Sequence, residues 1–195
     1  MKAAAKRSEF EQAGEIKRTL FGLRHIQDMA LIKDNEQRTM NTEQQDIRIE
    51  AYDVAHLGGT ASVGVMTVVR NMTPDTDEYR QFRLRGRHGG NDLSALEEIL
   101  RRRLRHPKWS LPEIIVVDGN TLQLSVAEMV LHDMGLSIPV VGVVKNARHQ
   151  PQRLIGPETL TKRFKKEILL ANSEAHRFAI GYHRRRRGKE FLKQR

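Results

Sequence analysis

Two uninterrupted apolar runs constrain this chain more than any other feature. Residues 114–117 read Ile-Ile-Val-Val, and residues 138–144 read Ile-Pro-Val-Val-Gly-Val-Val. Neither alternates apolar with polar side chains, so each fits a central strand covered on both faces. Between them, TLQLSVAEMVLHDMG (121–135) has the period of a helix and stops at Gly135. Strand, helix and strand in succession make two parallel neighbours joined by a crossover. The first run ends on Asp118, followed by Gly119 and Asn120. A carboxylate closing a buried strand needs a reason.

Upstream, RIEAYDVAH (48–56) is strand-like, with Ile49, Ala51, Asp53 and Ala55 on one face. Gly58 and Gly59 make a turn, and ASVGVMTVV (61–69) is a second strand. DEYRQFRLRG (77–86) alternates Tyr79, Gln81 and Arg83 against Arg80, Phe82 and Leu84, as a half-exposed strand does. After the turn GRHGGN, DLSALEEILRRRLRH (92–106) is a helix with Leu93, Leu96, Leu100 and Leu104 on one side. The stretch 159–187 places apolar or small residues at 164, 168, 171, 175, 178 and 182, which predicts one long packed helix. The order is β-β-β-α-β-α-β-α. It matches an α/β, RNase H-like mixed sheet, an analogy at the level of fold.

The amino-terminal part differs. Phe10, Ala13, Ile16, Leu20 and Leu23 follow a helical period within residues 8–32, too short a stripe to form a core alone. The expected organisation is a helical segment at 1–32, a polar linker at 33–46 and one domain at 47–195.

Net charge is +10 over 195 residues, and the basic side chains gather in RLRGRHGG, RRRLRHPK and HRRRRGK. That balance favours a polyanionic partner, most simply nucleic acid. Arg83, Arg85 and Arg87 alternate on one strand face, and Arg184, Arg185, Arg186 and Arg187 end the long helix. These are expected phosphate contacts, together with Lys145 at the end of the second central strand. The chain has no cysteine, which excludes disulfides and thiolate metal sites. No apolar run approaches the roughly 20 residues of a membrane span. MKAAAKRSEFEQ has no apolar signal core, so the expectation is a cytoplasmic, monomeric protein with no membrane partner.

In the RNase H-like order the first and fourth strands lie side by side, which would bring Asp53 and Asp118 together. Two such carboxylates raise each other's pKa unless a cation lies between them. Mg²⁺ or Mn²⁺ suits that place, each being hard and bound through a few carboxylates plus substrate phosphate. Taken singly, each aspartate reads equally well as a strand-end group satisfying a turn N–H. Asp92 either caps the helix that it opens or faces the site, Asn91 being an equally good cap. His176, beside the buried stripe of the last helix, is either a metal ligand or proton carrier, or a hydrogen-bonded core histidine.

RIEAYDVAHLGG, RLRGRHGGNDLSALEEIL, LPEIIVVDGNTLQL, IPVVGVVKNARHQPQRLI and SEAHRFAIGYHRRRR occur in that order. Together, over about residues 47–187, they resemble the C-terminal endonuclease domain of the UvrC family, the nuclease subunit of bacterial excinuclease ABC. EFEQAGEIKRTLFGLRHI resembles the short UVR motif with which that family binds UvrB.

The resemblance implies nucleotide excision repair: a divalent-metal-dependent DNA endonuclease that acts on damaged DNA, cuts 5′ of a lesion and is recruited by UvrB, with UvrA upstream. It implies Asp53, Asp118 and His176 as metal-binding positions, Asp92 as an additional acidic catalytic position, and His149 as a DNA-phosphate or active-site neighbour. Phe10, Ala13, Ile16, Leu20 and Leu23 become the UvrB-facing stripe. The family's GIY-YIG nuclease and helix-hairpin-helix domain have no counterpart in this stretch. The family normally reads Asp-Gly-Gly-Lys-Gly-Gln after the fourth strand, where this chain has Asp118-Gly119-Asn120-Thr121-Leu122-Gln123, and Ala55 stands where a serine is usual. Loss of two glycines and a lysine leaves a second reading open, a weakened remnant that binds UvrB and DNA without cutting.

Overall fold

The computed structural model describes residues 46–57, 61–84, 91–146 and 151–193, with side chains except at 56–57, 61–62 and 182–193. The chain divides into two units, Met1–Glu43 and Gln44–Arg195, and the described residues belong to the second. The expected helical segment 1–32, nearly all of the linker, and Phe10, Ala13, Ile16, Leu20 and Leu23 lie outside the described residues.

The core element is an antiparallel pair, β1 (Arg48–Leu57) and β2 (Ala61–Arg70), in register along ten residues. Its β-branched and aromatic content suits a pleated, buried surface. On the far side of β1 lies β5 (Ile114–Val117), parallel to it, with all four residues buried. Beyond it comes β6 (Val140–Lys145), also parallel. The two apolar runs are thus adjacent central strands, as their composition requires.

Two short strands, β3 (Thr73–Pro74) and β4 (Arg80–Arg83), share the outer edge of β2. Of the expected third strand at 77–86, Arg80–Arg83 is formed as β4, and the two-residue β3 before it was not expected. Asn71 and Met72 turn the chain with positive φ, and a 3₁₀ turn at Thr76–Glu78 separates the two strands.

A seventh strand was not expected. Pro151–Ile155, β7, returns antiparallel onto β6 and ends the sheet, its first three residues exposed. A proline opening a strand is compatible only with an edge position, which β7 occupies. The sheet order is β3 and β4, then β2-β1-β5-β6-β7.

Helices cover both faces. Helices α1 (Asp92–Leu104) and α2 (Thr121–Asp133) pack on one, where Tyr52, Met66, Phe82, Leu96, Ile99, Val117, Val130 and Leu131 form a single cluster. Gly64 lets α1 approach: a Cβ there would come within 2.1 Å of Ile99 Cδ1. The other face carries the last helices. The expected single helix is interrupted at Phe164, giving α3 (Glu158–Arg163) and α4 (Lys165–Lys193). Ile168, Ala171, Ala175 and Ala179 are buried at spacings of three and four, so small residues bring α4 close to the sheet. Thr67 on β2 donates to the carbonyl of Ala171 at 3.2 Å.

One buried feature has no apolar signature. Glu50, fully buried on β1, accepts from Arg48, Arg103 and the Tyr52 hydroxyl. Arg48 reaches onward to Glu78 at 2.6 Å. Burial, reinforced by the Glu50 charge, pushes the Tyr52 phenol well above its usual range, so it stays a hydrogen-bond donor. No described helix is long and apolar enough to cross a membrane.

Candidate metal centre

The β1–β5 ladder sets the site. Its last parallel pair is Tyr52 with Val117, and the Asp118 N–H continues one step further, donating to the Tyr52 carbonyl at 3.4 Å. Asp53 and Asp118 are thus the next residues on two adjacent parallel strands, and period-two alternation sends both side chains to the α4 face. From that face comes His176, one residue past buried Ala175. Its Nδ1 lies 3.3 Å from Asp53 Oδ2. Ligand atoms of Asp53, Asp118 and His176 all lie within 4.8 Å of one another.

Two carboxylates and an imidazole fit a hard divalent cation. The electrostatics fit as well. Burial pushes the Asp118 carboxyl up from its ordinary value, and the Asp53 charge adds to the rise, while Lys145 and His176 oppose it. The residues therefore call for positive charge, and Lys145 supplies some: its Nζ is 2.6 Å from Asp118 Oδ2. Lys145, expected as a DNA contact, thus also pairs with a site carboxylate. Its sequence neighbours gave no sign of this, because its direction depends on the register between β5 and β6.

Asp92 does not join the three-residue group, yet it lines the same cavity, of about 40 Å³, with Tyr52, Asp53, Val54, Leu96, Val117, Asp118 and Gln123. Asn91 caps α1, its Oδ1 accepting from the N–H groups of Leu93 at 3.0 Å and Ser94 at 3.3 Å. Asp92 is left as the first helical residue, on the cavity wall.

The altered loop after Asp118 is ordered by its own side chains. Asn120 Oδ1 accepts from Leu122 N–H at 2.9 Å, and Gln123 Oε1 accepts from Asn120 N–H at 3.1 Å, a reciprocal cap on α2. Gly142, paired with Val117, lets the turn lie down: a Cβ there would be 3.1 Å from the Gly119 carbonyl and 2.7 Å from Ile155. No signal in the sequence marked Gly142, since its neighbours are an ordinary apolar run.

Of the expected DNA contacts, Arg83 is exposed at the end of β4. Arg85, Arg87 and His149 lie outside the described residues, as do the side chains of Arg184, Arg185, Arg186 and Arg187 on α4.

A family model of the UvrC RNase H endonuclease domain matches residues 37–180. Among curated relatives, UvrABC system protein C of Clostridium kluyveri is 34% identical over 88% of this chain and 32% of its own length. The Clostridium botulinum strain 657 protein of that name is 33% identical over 87% of this chain and 32% of its own. The chain thus spans about a third of the curated relatives that it matches. Among solved structures, human endonuclease V aligns with a TM-score of 0.35 and 16% identity, over 62% of this chain and 54% of that one, too loosely to bear on the site. With the family model matching residues 37–180, the chain belongs to the UvrC RNase H endonuclease domain family.

Proposed function

We propose that this chain is a divalent-metal-dependent DNA endonuclease of nucleotide excision repair. In this reading it cuts a phosphodiester 5′ of a lesion after recruitment by UvrB, with UvrA acting upstream. The observation that carries the reading is the convergence of Asp53 within β1, Asp118 just past β5 and His176 on α4, in a chain of this family.

Asp53, Asp118 and His176 would hold the ion, Mg²⁺ or Mn²⁺. When bound, such an ion supplies Lewis acidity and lowers the pKa of an attached water. The carboxylates hold negative charge at fixed strand ends, where backbone pairing keeps them from relaxing apart. His176, with its side chain 45% exposed, can present a neutral ring nitrogen as a ligand. Alternatively, Asp53 holds a proton on Nδ1 and the ring releases one from Nε2 to the departing oxygen. Asp92 adds negative charge to the opposite wall. Lys145, 2.6 Å from Asp118 Oδ2, favours its ionised form.

The rival reading, binding without cutting, rests on the changed Asn120–Thr121–Leu122 segment. There the reciprocal cap between Asn120 and Gln123 supports a loop that still presents Asp118. The test is incision of a lesion-containing duplex by the chain with UvrA, UvrB and Mg²⁺ or Mn²⁺. Cutting that is lost in Asp53→Asn and Asp118→Asn, both still folded by circular dichroism, is the expected result. Equal cutting by wild type and Asp118→Asn would remove the two-carboxylate mechanism.

A further inference from the structure

The cavity at the carboxylates is small, about 40 Å³. A larger cleft, about 460 Å³, lies along another flank of α4 and is lined by Thr76, Tyr79, Arg177, Phe178 and Gly181. We propose that this cleft binds one unstacked nucleobase of the strand whose phosphate lies at Asp53 and Asp118. The inference rests on the nuclease reading and names the part of the substrate gripped.

Position comes first. Arg177 and Phe178 directly follow His176 on α4, so the cleft and the metal centre share a helix. Tyr79 immediately precedes β4, two strand spacings from β1, or about 10 Å. A strand whose phosphate sits at Asp53 spans that distance in about three nucleotides, at about 3.4 Å each when stacked, and in fewer when unstacked.

The lining chemistry matches a base. Tyr79 and Phe178 meet edge to face, with centroids 5.1 Å apart and planes at 64°. Both rings are half-buried and line the cleft. Arg177 is fixed in plane at the rim by Glu174, through Nε at 3.0 Å and a second, shorter contact from Nη2. A held guanidinium stacks on a base and attracts the phosphate beside it. The Glu174 carboxylate is taken up by Arg177 and the Tyr79 hydroxyl, so it does not repel the strand. At Gly181 an added Cβ would meet nothing within 4 Å, so the backbone there leaves the mouth open. Another cleft among the described residues is lined by Asp46, Glu113 and Arg163 with apolar neighbours, at the ends of β1 and β5 away from the carboxylate pair.

A base can enter only when it has left its stack. The cleft would therefore favour strands already distorted beside the scissile bond over regular duplex, a selectivity that the metal centre cannot supply.

The test uses the whole chain and a partly single-stranded oligonucleotide, in a series with one abasic site at each position flanking the incised bond. Binding is read by fluorescence anisotropy and cutting is measured in parallel. One abasic position should weaken wild-type binding about tenfold, within the range for one stacked base. Phe178→Leu, which keeps apolar volume but removes the ring, should lose a similar factor on intact DNA and nothing further at that abasic position. Arg177→Ala, at an exposed rim residue, should behave likewise. Losses that multiply at every position, or a wild type indifferent to every abasic site, would overturn the base site. If cutting is normal in that case, the nuclease reading still stands. Position-specific binding without any cutting would support the base site and remove the nuclease reading instead.

Discussion

Asp118 shows how one residue carries both stability and chemistry. Burial holds its carboxyl above the ordinary aspartate range, so the folded chain binds that proton more tightly than the unfolded chain does. Stability contributed in this way declines as pH rises from the ordinary aspartate value through the folded one. In chelator, denaturation at a series of pH values should show that decline, and Asp118→Asn should flatten it. Saturating Mn²⁺ should reverse it, because the ion binds the ionised site of the folded state. His176→Ala should lose orders of magnitude in cleavage rate with DNA binding nearly unchanged. The two aspartates were legible only as a pair, through the strand order that sets β1 beside β5; singly, each reads as a carboxylate satisfying a turn N–H. Lys145 was legible only as a charge, since its partner is 27 residues away and is chosen by strand register.

At the scale of elements, α1 overturns a reading that charge alone encourages. Arg101, Arg102 and Arg103 look like a nucleic-acid patch, yet each ties the helix to a different neighbour. Arg101 reaches Asp133 of α2 at 2.6 Å, Arg102 the Arg83 carbonyl of β4 at 2.6 Å, and Arg103 the buried Glu50 of β1 at 2.7 Å. The end opposite these ties carries Asp92. Removing Glu50 leaves two buried guanidiniums short of a partner, whereas removing Arg103 leaves Glu50 with Arg48 and Tyr52. Glu50→Ala should therefore destabilise by about 4 kcal/mol and Arg103→Met by less, within the range for broken buried pairs; urea denaturation would rank them. Gly64→Ala drives a methyl into Ile99 and should cost about 1–3 kcal/mol as overpacking. It should also lower cutting through Asp92, and Ile99→Val in the same chain should recover part of both losses. Periodicity located α1 and its apolar stripe but gave Arg103 to solvent, because a helical pattern reports which face is inward and not which charges follow it there.

For the whole molecule, the strand order was readable as far as apolar patterning reached. It failed at β7, where Pro151, Gln152 and Arg153 carry no apolar alternation and pairing with β6 alone makes the strand. It failed again at Phe164, where the stripe runs on but the backbone does not. Charge has a bearing at this scale too. The arginines tied inside do not release counterions on binding, so the salt dependence of DNA affinity should count only exposed groups. The log–log slope should be near −0.9 per phosphate contacted and flatten when Arg184, Arg185, Arg186 and Arg187 are neutralised together. Deleting residues 1–32 should abolish UvrB capture in a pull-down while weak metal-dependent nicking persists. Unchanged capture would assign UvrB binding elsewhere. The two outer margins of the sheet have a further consequence. An open strand invites a second chain to add to it, and such growth ends in aggregates. Here β3 and β4 occupy the flank of β2, while β7 closes the other side with a proline and an exposed arginine, both poor templates for a foreign strand. Many copies crowded along one nucleic acid would meet at high local concentration, and these margins let them do so without fusing into a continuous sheet.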